Sequence, residues 1–162
     1  QWNKSALDMT DILKRTVATH FPVLDQNNNR LEIQADEKMP PVYADDNKII
    51  QVLVNLIANS LRYTRDGMIT IGAELSKEPG FVTVTVCDTG DGIDPEFLPH
   101  IFERFQTGES RTDAGTGLGL FISKKIIEEH GGRIWAESER NRGTAIHFTL
   151  PVYAGNGEKE KQ

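Results

Sequence analysis

The chain is expected to fold as an α+β two-layer sandwich, with about three helices on one face of a mixed, mainly antiparallel sheet of about five strands. Two pairs of alternating segments predict the sheet: "MITIGAEL" with "FVTVTVCD" across "SKEPG", and "GRIWAES" with "GTAIHFTLP" across "ERNRG". Apolar residues recur at every second position in each pair, and a short turn-forming stretch joins the partners, which is a hairpin pattern. The order of elements is the third observation. Reading α, β, α, β-β, loop, α, β-β, it gathers helices on one face of the sheet.

From Ser5 to His20, Leu7, Ile12, Leu13 and Val17 recur at helical spacing, and Pro22 closes that segment. "NRLEIQA" sets Leu31, Ile33 and Ala35 against Glu32 and Gln34, a short strand, and "MPPV" then breaks the pattern. The next helix starts at Asp45 or Asp46, either of which can cap it, and runs to about Tyr63. After the first hairpin, Thr89 to about Gly115 is polar and glycine-rich, interrupted by the amphipathic "PEFLPHIFERF". "GLGLFISKKIIEEHG" reads as a helix with Gly131 in the stop position, and "AGNGEKEKQ" as a frayed tail. There is no internal repeat.

At 162 residues the chain suits one compact domain with a substantial core. Its net charge of −6 argues against a general nucleic-acid binder, which needs a basic field. A local anion site needs only a few aimed donors and stays open. The single Cys87 excludes an internal disulfide and makes a reducing compartment the default. No run is long and apolar enough for a membrane span, so this region is expected in the cytoplasm; a start without methionine suggests a fragment of a longer protein.

"VLVNLIANSLRYT" carries the first chemical signal. At about 100° per residue, Lys48, Gln51, Asn55, Asn59 and Arg62 form one narrow stripe. Ile49, Val52, Leu53, Leu56, Ile57 and Leu61 cover the opposite face. A solvated polar face explains any one of these residues. An idle surface, however, favours Glu, Lys, Gln or Ala over asparagine, which costs a helix more. Two amides one turn apart suit an oxygen-rich ligand such as hydrated Mg²⁺ with its phosphates, and Arg62 adds charge for a phosphate.

Two glycine segments add to this. In "CDTGDGI", Val82, Val84 and Val86 point to one side, so Asp88 leaves a buried strand just before the bend at Gly90 and Gly92. A turn explains the glycines. A carboxylate fixed at a strand end is also an acceptor for an exocyclic amino group such as adenine's. "GTGLGL" is not a dinucleotide fingerprint, because polar "FQTGESRTDA" precedes it instead of a strand. What remains is a glycine loop feeding a helix N-terminus, where free N–H groups and the dipole favour an anion.

Together, in this order and spacing, these segments resemble the catalytic, ATP-binding domain of a sensor histidine kinase of two-component signalling (the GHKL or Bergerat fold). "NLIANSLRYT" resembles that family's N box, "DTGDGI" its first glycine box, "FERF" its F box and "GTGLGL" its second glycine box, while "GTAIHFTLP" resembles its final strand. The match runs from about Asn29 to Val152.

The resemblance implies a role for each matching position. Asn59 would be the Mg²⁺ ligand, Asn55 would lie beside the triphosphate, Arg62 would contact phosphate and Tyr63 would pack near the adenine. Asp88 would accept the adenine amino group, with Gly92 close to the base and Gly90 and Ile93 completing that box. Phe102 belongs to the F box, and a mobile lid would run from about Gln106 to Thr116. Gly115, Thr116, Gly117, Leu118, Gly119 and Leu120 form the second glycine box, with Gly117, Leu118 and Gly119 bringing backbone N–H groups to the phosphates. Thr144 would complete the adenine pocket. Where the family's F box continues as "FYR" or similar, this chain has Phe105-Gln106-Thr107, leaving Arg104 and Arg111 as candidates to reach the γ-phosphate.

The implied reaction is phosphoryl transfer from ATP to a histidine, with Mg²⁺ as cofactor. None of His20, His100, His130 or His147 has the sequence context of the family's phosphoacceptor; all four read as structural or surface residues, with His130 at a helix end where a cation suits the dipole. The acceptor is therefore expected on a separate dimerisation domain. The implied partners are ATP or ADP, that domain and a response regulator, with no nucleic acid and no disulfide partner. Residues 1–24 are expected to be a junction from the dimerisation domain, 25–153 the catalytic domain and 154–162 a disordered tail. The isolated chain is expected to be monomeric, with Leu7, Ile12 and Leu13 exposed unless that stripe folds back on the core, and the whole protein anchored in a membrane. Three rivals share the fold: gyrase-, mismatch-repair- and chaperone-type ATPases, whose general-base glutamate occupies the position of Asn55; anti-sigma serine kinases; and pseudo-enzymes that only bind nucleotide.

Overall fold

A computed structural model describes residues 2–22, 27–36, 38–104 and 119–154. Its main sheet has five strands: β2 (Arg30–Ala35), β4 (Met68–Leu75), β5 (Phe81–Asp88), β6 (Ile134–Glu139) and β7 (Gly143–Pro151), ordered β2-β4-β5-β7-β6. The β4–β5, β5–β7 and β6–β7 pairs are antiparallel, and β2 joins β4 in parallel. The two predicted hairpins are therefore present, with β7 inserted between β5 and β6. Helices α1 (Met9–His20), α2 (Asp46–Arg62) and α3 (Gly119–Glu129) complete the second layer.

Strand alternation sorts the two faces. Ile69, Ile71, Val82, Val84, Val86, Ile146, Phe148 and Leu150 lie under the helices and are at most 2% exposed. They meet Ile49, Val52, Leu53, Leu56 and Ile57 of α2 and Ile126 and Ile127 of α3 in one cluster. Fully burying each such side chain stabilises the fold by roughly 1.5–3 kcal/mol before conformational entropy is counted. The other face of the sheet carries Thr70, Gly72, Thr85, Cys87 and His147, a polar and small-residue surface.

The N-terminal segment differs from expectation. Lys4–Leu7 is a strand, β1, antiparallel to β3 (Val42–Asp45) in a separate two-stranded sheet, and the helix begins only at Met9. Asp8 stops the strand and caps the helix, its carboxylate accepting the Asp11 N–H at 3.3 Å. "MPPV" hid β3, whose four residues are too few to show alternation beside two prolines. Ile12 and Leu13 are each 1% exposed and Leu7 8%, so the apolar stripe is folded back into the core rather than exposed.

Asp45 caps α2 with its side chain on the Lys48 N–H (3.3 Å) and also accepts the Asn3 N–H (2.9 Å). Gly131, at φ +83°, closes α3 as predicted. Among the described residues no helix is long and apolar enough to cross a membrane.

Candidate nucleotide site

The site starts where the core ends. Across the helix-facing side of the sheet, Asp88 of β5, Thr144 of β7 and Ser138 of β6 are successive cross-strand partners. They lie one row beyond the apolar set Val86, Ile146 and Ala136. Alternation thus turns three polar side chains towards the helices where the sheet runs out of apolar cover. Asp88 and Thr144 are each 7% exposed. Asp88 Oδ1 accepts two backbone N–H groups, from Gly90 at 2.9 Å and Thr144 at 3.2 Å, which fixes the carboxylate.

The loop after Asp88 is stitched to both neighbours. The Asp91 N–H reaches the Tyr63 carbonyl at 3.4 Å, the Ile93 N–H the Ser138 hydroxyl at 2.7 Å, and the Asn141 N–H the Asp91 carbonyl at 2.6 Å. Arg140 pairs with Asp94 at 2.9 Å on the surface. The glycines answer to this stitching. A Cβ at Gly90 would press on the Tyr63 carbonyl and sit 2.6 Å from Thr64 Oγ1 and 3.1 Å from Asp88 Oδ1. Gly92 has φ +77°, and a Cβ there would strike the Glu139 carbonyl.

The C-terminal end of α2 reaches the same corner. Tyr63, half-buried, caps the helix, and Thr64 follows it, fully buried. The Thr64 hydroxyl has no hydrogen-bond partner among the described residues. A buried hydroxyl beside a fixed carboxylate is a cradle for a polar ligand, because an unmet partner costs about 1–3 kcal/mol. Asn29, 3% exposed, straps this bend from below: its Nδ2 donates to the Thr64 carbonyl at 2.7 Å and its Oδ1 accepts the Gly67 N–H at 3.0 Å.

Farther up α2, Asn55 and Asn59 are half-buried and Arg62 is exposed at the last turn. Asn55 faces the start of α3, with Nδ2 3.4 Å from the Gly119 carbonyl and 3.5 Å from Ser123 Oγ. Both contacts are at the long limit for N–H···O bonds, so the amide is held loosely and can re-pair. Gly119 packs directly on it: a Cβ there would lie 3.8 Å from Asn55 Cγ. Leu120 and Phe102 pack half-buried against the core, Ile93 is 2% exposed, and the Arg104 guanidinium lies 5.9 Å from the Phe121 ring centre. The expected lid, Arg111 and Gly115 to Leu118 fall outside the described residues.

Among the described residues no group of three or more His, Cys, Asp and Glu is placed to hold a metal. A divalent ion here would depend on the Asn59 amide oxygen together with phosphate and water oxygens. That donor set fits Mg²⁺, which keeps much of its water and binds few protein ligands.

Ser138, Thr64 and Asn29 join the corner without having been expected there from the sequence. For Ser138 the signal was available: it stands opposite Thr144 in a predicted hairpin, on the face where Ala136 and Ile134 are apolar. His130 is structural, as expected, but not as a cation. His130 is 3% exposed, its Nδ1 donates to the Ile126 carbonyl (2.8 Å) and its Nε2 accepts the Asp45 N–H (3.1 Å). This arrangement requires the neutral ring, and burial pushes its pKa below the ordinary value, against the opposing pull of the Ile126 hydrogen bond. It is not a cation serving the helix dipole.

A one-sided α+β sandwich with a fixed carboxylate at a strand end and an amide-bearing helix beside it defines a nucleotide-binding class. The chain belongs to the histidine kinase-, DNA gyrase B- and HSP90-like ATPase family, whose model matches residues 44–154, more than half of its length. Within that family it is the ATP-binding catalytic domain of a sensor histidine kinase. It is 43% identical over 126 residues to the adaptive-response sensory kinase SasA of Gloeothece citriformis, a match covering 76% of this chain and 32% of that protein. The chain thus spans about a third of that relative's length. The nucleotide-free catalytic domain of histidine kinase ThkA superposes with a TM-score of 0.79 at 32% identity, covering 93% of this chain and 96% of that one. ThkA in complex with the response regulator TrrA gives a TM-score of 0.75 at 28% identity, covering 93% of this chain and 42% of that one.

Proposed function

We propose that this domain binds Mg²⁺-ATP at the corner between α2, β5 and β7 and passes its γ-phosphoryl group to a histidine on a separate dimerisation domain of a longer protein. From there the phosphoryl group goes to an aspartate of a response regulator, a partner class that the ThkA–TrrA complex supports. The observation that carries this reading is Asp88, a carboxylate fixed by two backbone N–H groups at the edge of the core. A carboxylate so held suits the exocyclic amino group of adenine. Thr144 and Thr64 complete the base pocket, Tyr63 packs beside it, and Gly90, Gly92 and Ile93 shape its floor.

In the transfer, an imidazole nitrogen of the incoming histidine attacks the γ-phosphorus, the bond to the β–γ bridging oxygen breaks, and ADP leaves with the electron pair. This domain positions ATP and neutralises charge. Asn55 re-pairs from α3 to the triphosphate, Arg62 adds a guanidinium to it, and the second glycine box, Gly115 to Leu120, supplies backbone N–H donors. Asn59 would hold the Mg²⁺, whose charge would offset that of the phosphates. Asn55 stands where related ATPases place a glutamate, and an amide cannot take a proton from water, which favours transfer over hydrolysis.

Residues 1–24 lead in from the dimerisation domain and pack against the catalytic unit of 25–153. The domain lies on the cytoplasmic side of a membrane-anchored protein and is monomeric by itself. Titrating ADP with and without Mg²⁺ into the wild-type chain and Asn59→Ala tests the metal assignment. The variant should lose about tenfold in affinity with Mg²⁺ present and little without it. An equal loss in both conditions would remove Asn59 from the metal's coordination.

A further inference from the structure

The Asp88–Thr144–Ser138 row has a hydrogen-bond polarity that follows from counting protons. Ser138 Oγ has one proton and two lone pairs. It touches the Ile93 N–H at 2.7 Å, the Gly143 carbonyl at 3.1 Å and Thr144 Oγ1 at 2.9 Å. The Ile93 N–H can only donate, so it takes one lone pair of Ser138. The Gly143 carbonyl can only accept, so it takes the Ser138 proton. One lone pair remains for Thr144, which must therefore donate its own O–H. With that proton committed to Ser138, Thr144 Oγ1 offers only lone pairs to anything else. Asp88, in its ionised form, is likewise an acceptor only, and its Oδ1 takes the Gly90 and Thr144 N–H groups.

We propose that Ser138 is a specificity-determining residue: by holding the Thr144 proton it makes the Asp88–Thr144 corner present acceptors only, so that the site selects a 6-aminopurine over a 6-oxopurine. The proposal rests on the reading of Asp88 as the adenine contact and adds a residue that touches no ligand. An amino group brings N–H donors to this corner. A 6-oxo group brings another acceptor, opposed by a carboxylate and a hydroxyl oxygen whose proton points away. Without Ser138 the Thr144 hydroxyl turns freely and can donate to a 6-oxo oxygen, so the penalty shrinks.

The test compares ADP with inosine diphosphate, which differ at the 6-position and the adjacent N1 proton and share ribose and phosphates. Calorimetric titration of the 162-residue wild-type chain should show ADP bound at least about tenfold more tightly. Ser138→Ala should narrow that ratio about threefold or more, whereas Ser138→Thr, which keeps the hydroxyl, should preserve it. A general loosening of the loop would weaken both nucleotides equally and leave the ratio unchanged, and that result overturns the proposal. If Ser138→Ala does not fold, Thr144→Val decides: a narrowed ratio supports the polarity argument and an unchanged one overturns it. Failure of the wild-type chain to bind ADP, or equal binding of both nucleotides, would instead reject Asp88 as the adenine contact and this proposal with it.

Discussion

Single residues at the sheet corner are held in place by neighbours that leave no spare volume. Gly90 lies so close to the Tyr63 carbonyl and Thr64 Oγ1 that Gly90→Ala must push the loop off α2. We expect a loss of about 1–3 kcal/mol in denaturant unfolding, together with weakened nucleotide binding. Thr64→Val makes the opposite kind of change. It replaces a buried hydroxyl that has no partner among the described residues by a methyl group of the same shape. The ligand-free protein should keep its stability or gain up to about 1 kcal/mol, while ADP should stabilise it less than it does the wild type. Thermal unfolding with and without ADP reads both effects. A variant that lost stability without ligand and kept its full response to ADP would place the hydroxyl in packing rather than binding.

At the scale of elements, His130 ties three segments together. It ends α3, accepts the N–H of Asp45 where β3 passes into α2, and stacks on Trp2 at 4.7 Å, while Lys48 of α2 lies 5.8 Å from the Trp2 ring centre. Lys4 of β1 opposes the charged ring, and Asp45 and Glu129 favour it less strongly than burial disfavours it. The native pKa lies below the unfolded value of about 6.5, so the unfolded chain binds the extra proton first as pH falls. The contribution of His130 is therefore fully present above that pH and is lost as pH drops towards the lowered native value. Between about pH 7.5 and 5.5, wild type should lose more stability than His130→Gln. Parallel pH profiles for the two proteins would contradict this. Sequence periodicity revealed α2, α3 and both hairpins because each is long enough to repeat its pattern. It missed β1 and β3, four residues each, whose pairing is fixed by contacts between distant parts of the chain. The amide stripe and Asp88 were legible because their residue types are costly where they stand. Thr64 and Asn29 were not, since only the folded bend buries them.

For the whole molecule, the N-terminal segment belongs to the same core as the nucleotide site. Met9, Ile12 and Leu13 share a cluster with the α2 residues beneath the amide stripe. Ile12→Ala should therefore cost about 2–5 kcal/mol, more than a peripheral helix would. This packing connects the N-terminal segment mechanically to α2. The central claim is that the corner formed by α2, β5 and β7 is an adenine nucleotide site whose base contact is Asp88. Calorimetric titration of Mg²⁺-ADP into wild type and Asp88→Asn tests it most directly, with circular dichroism to confirm that both are folded. The account predicts saturable one-to-one binding by wild type and a loss of at least about tenfold in Asp88→Asn, equivalent to about 1.4 kcal/mol. Equal affinity in the two proteins would contradict it.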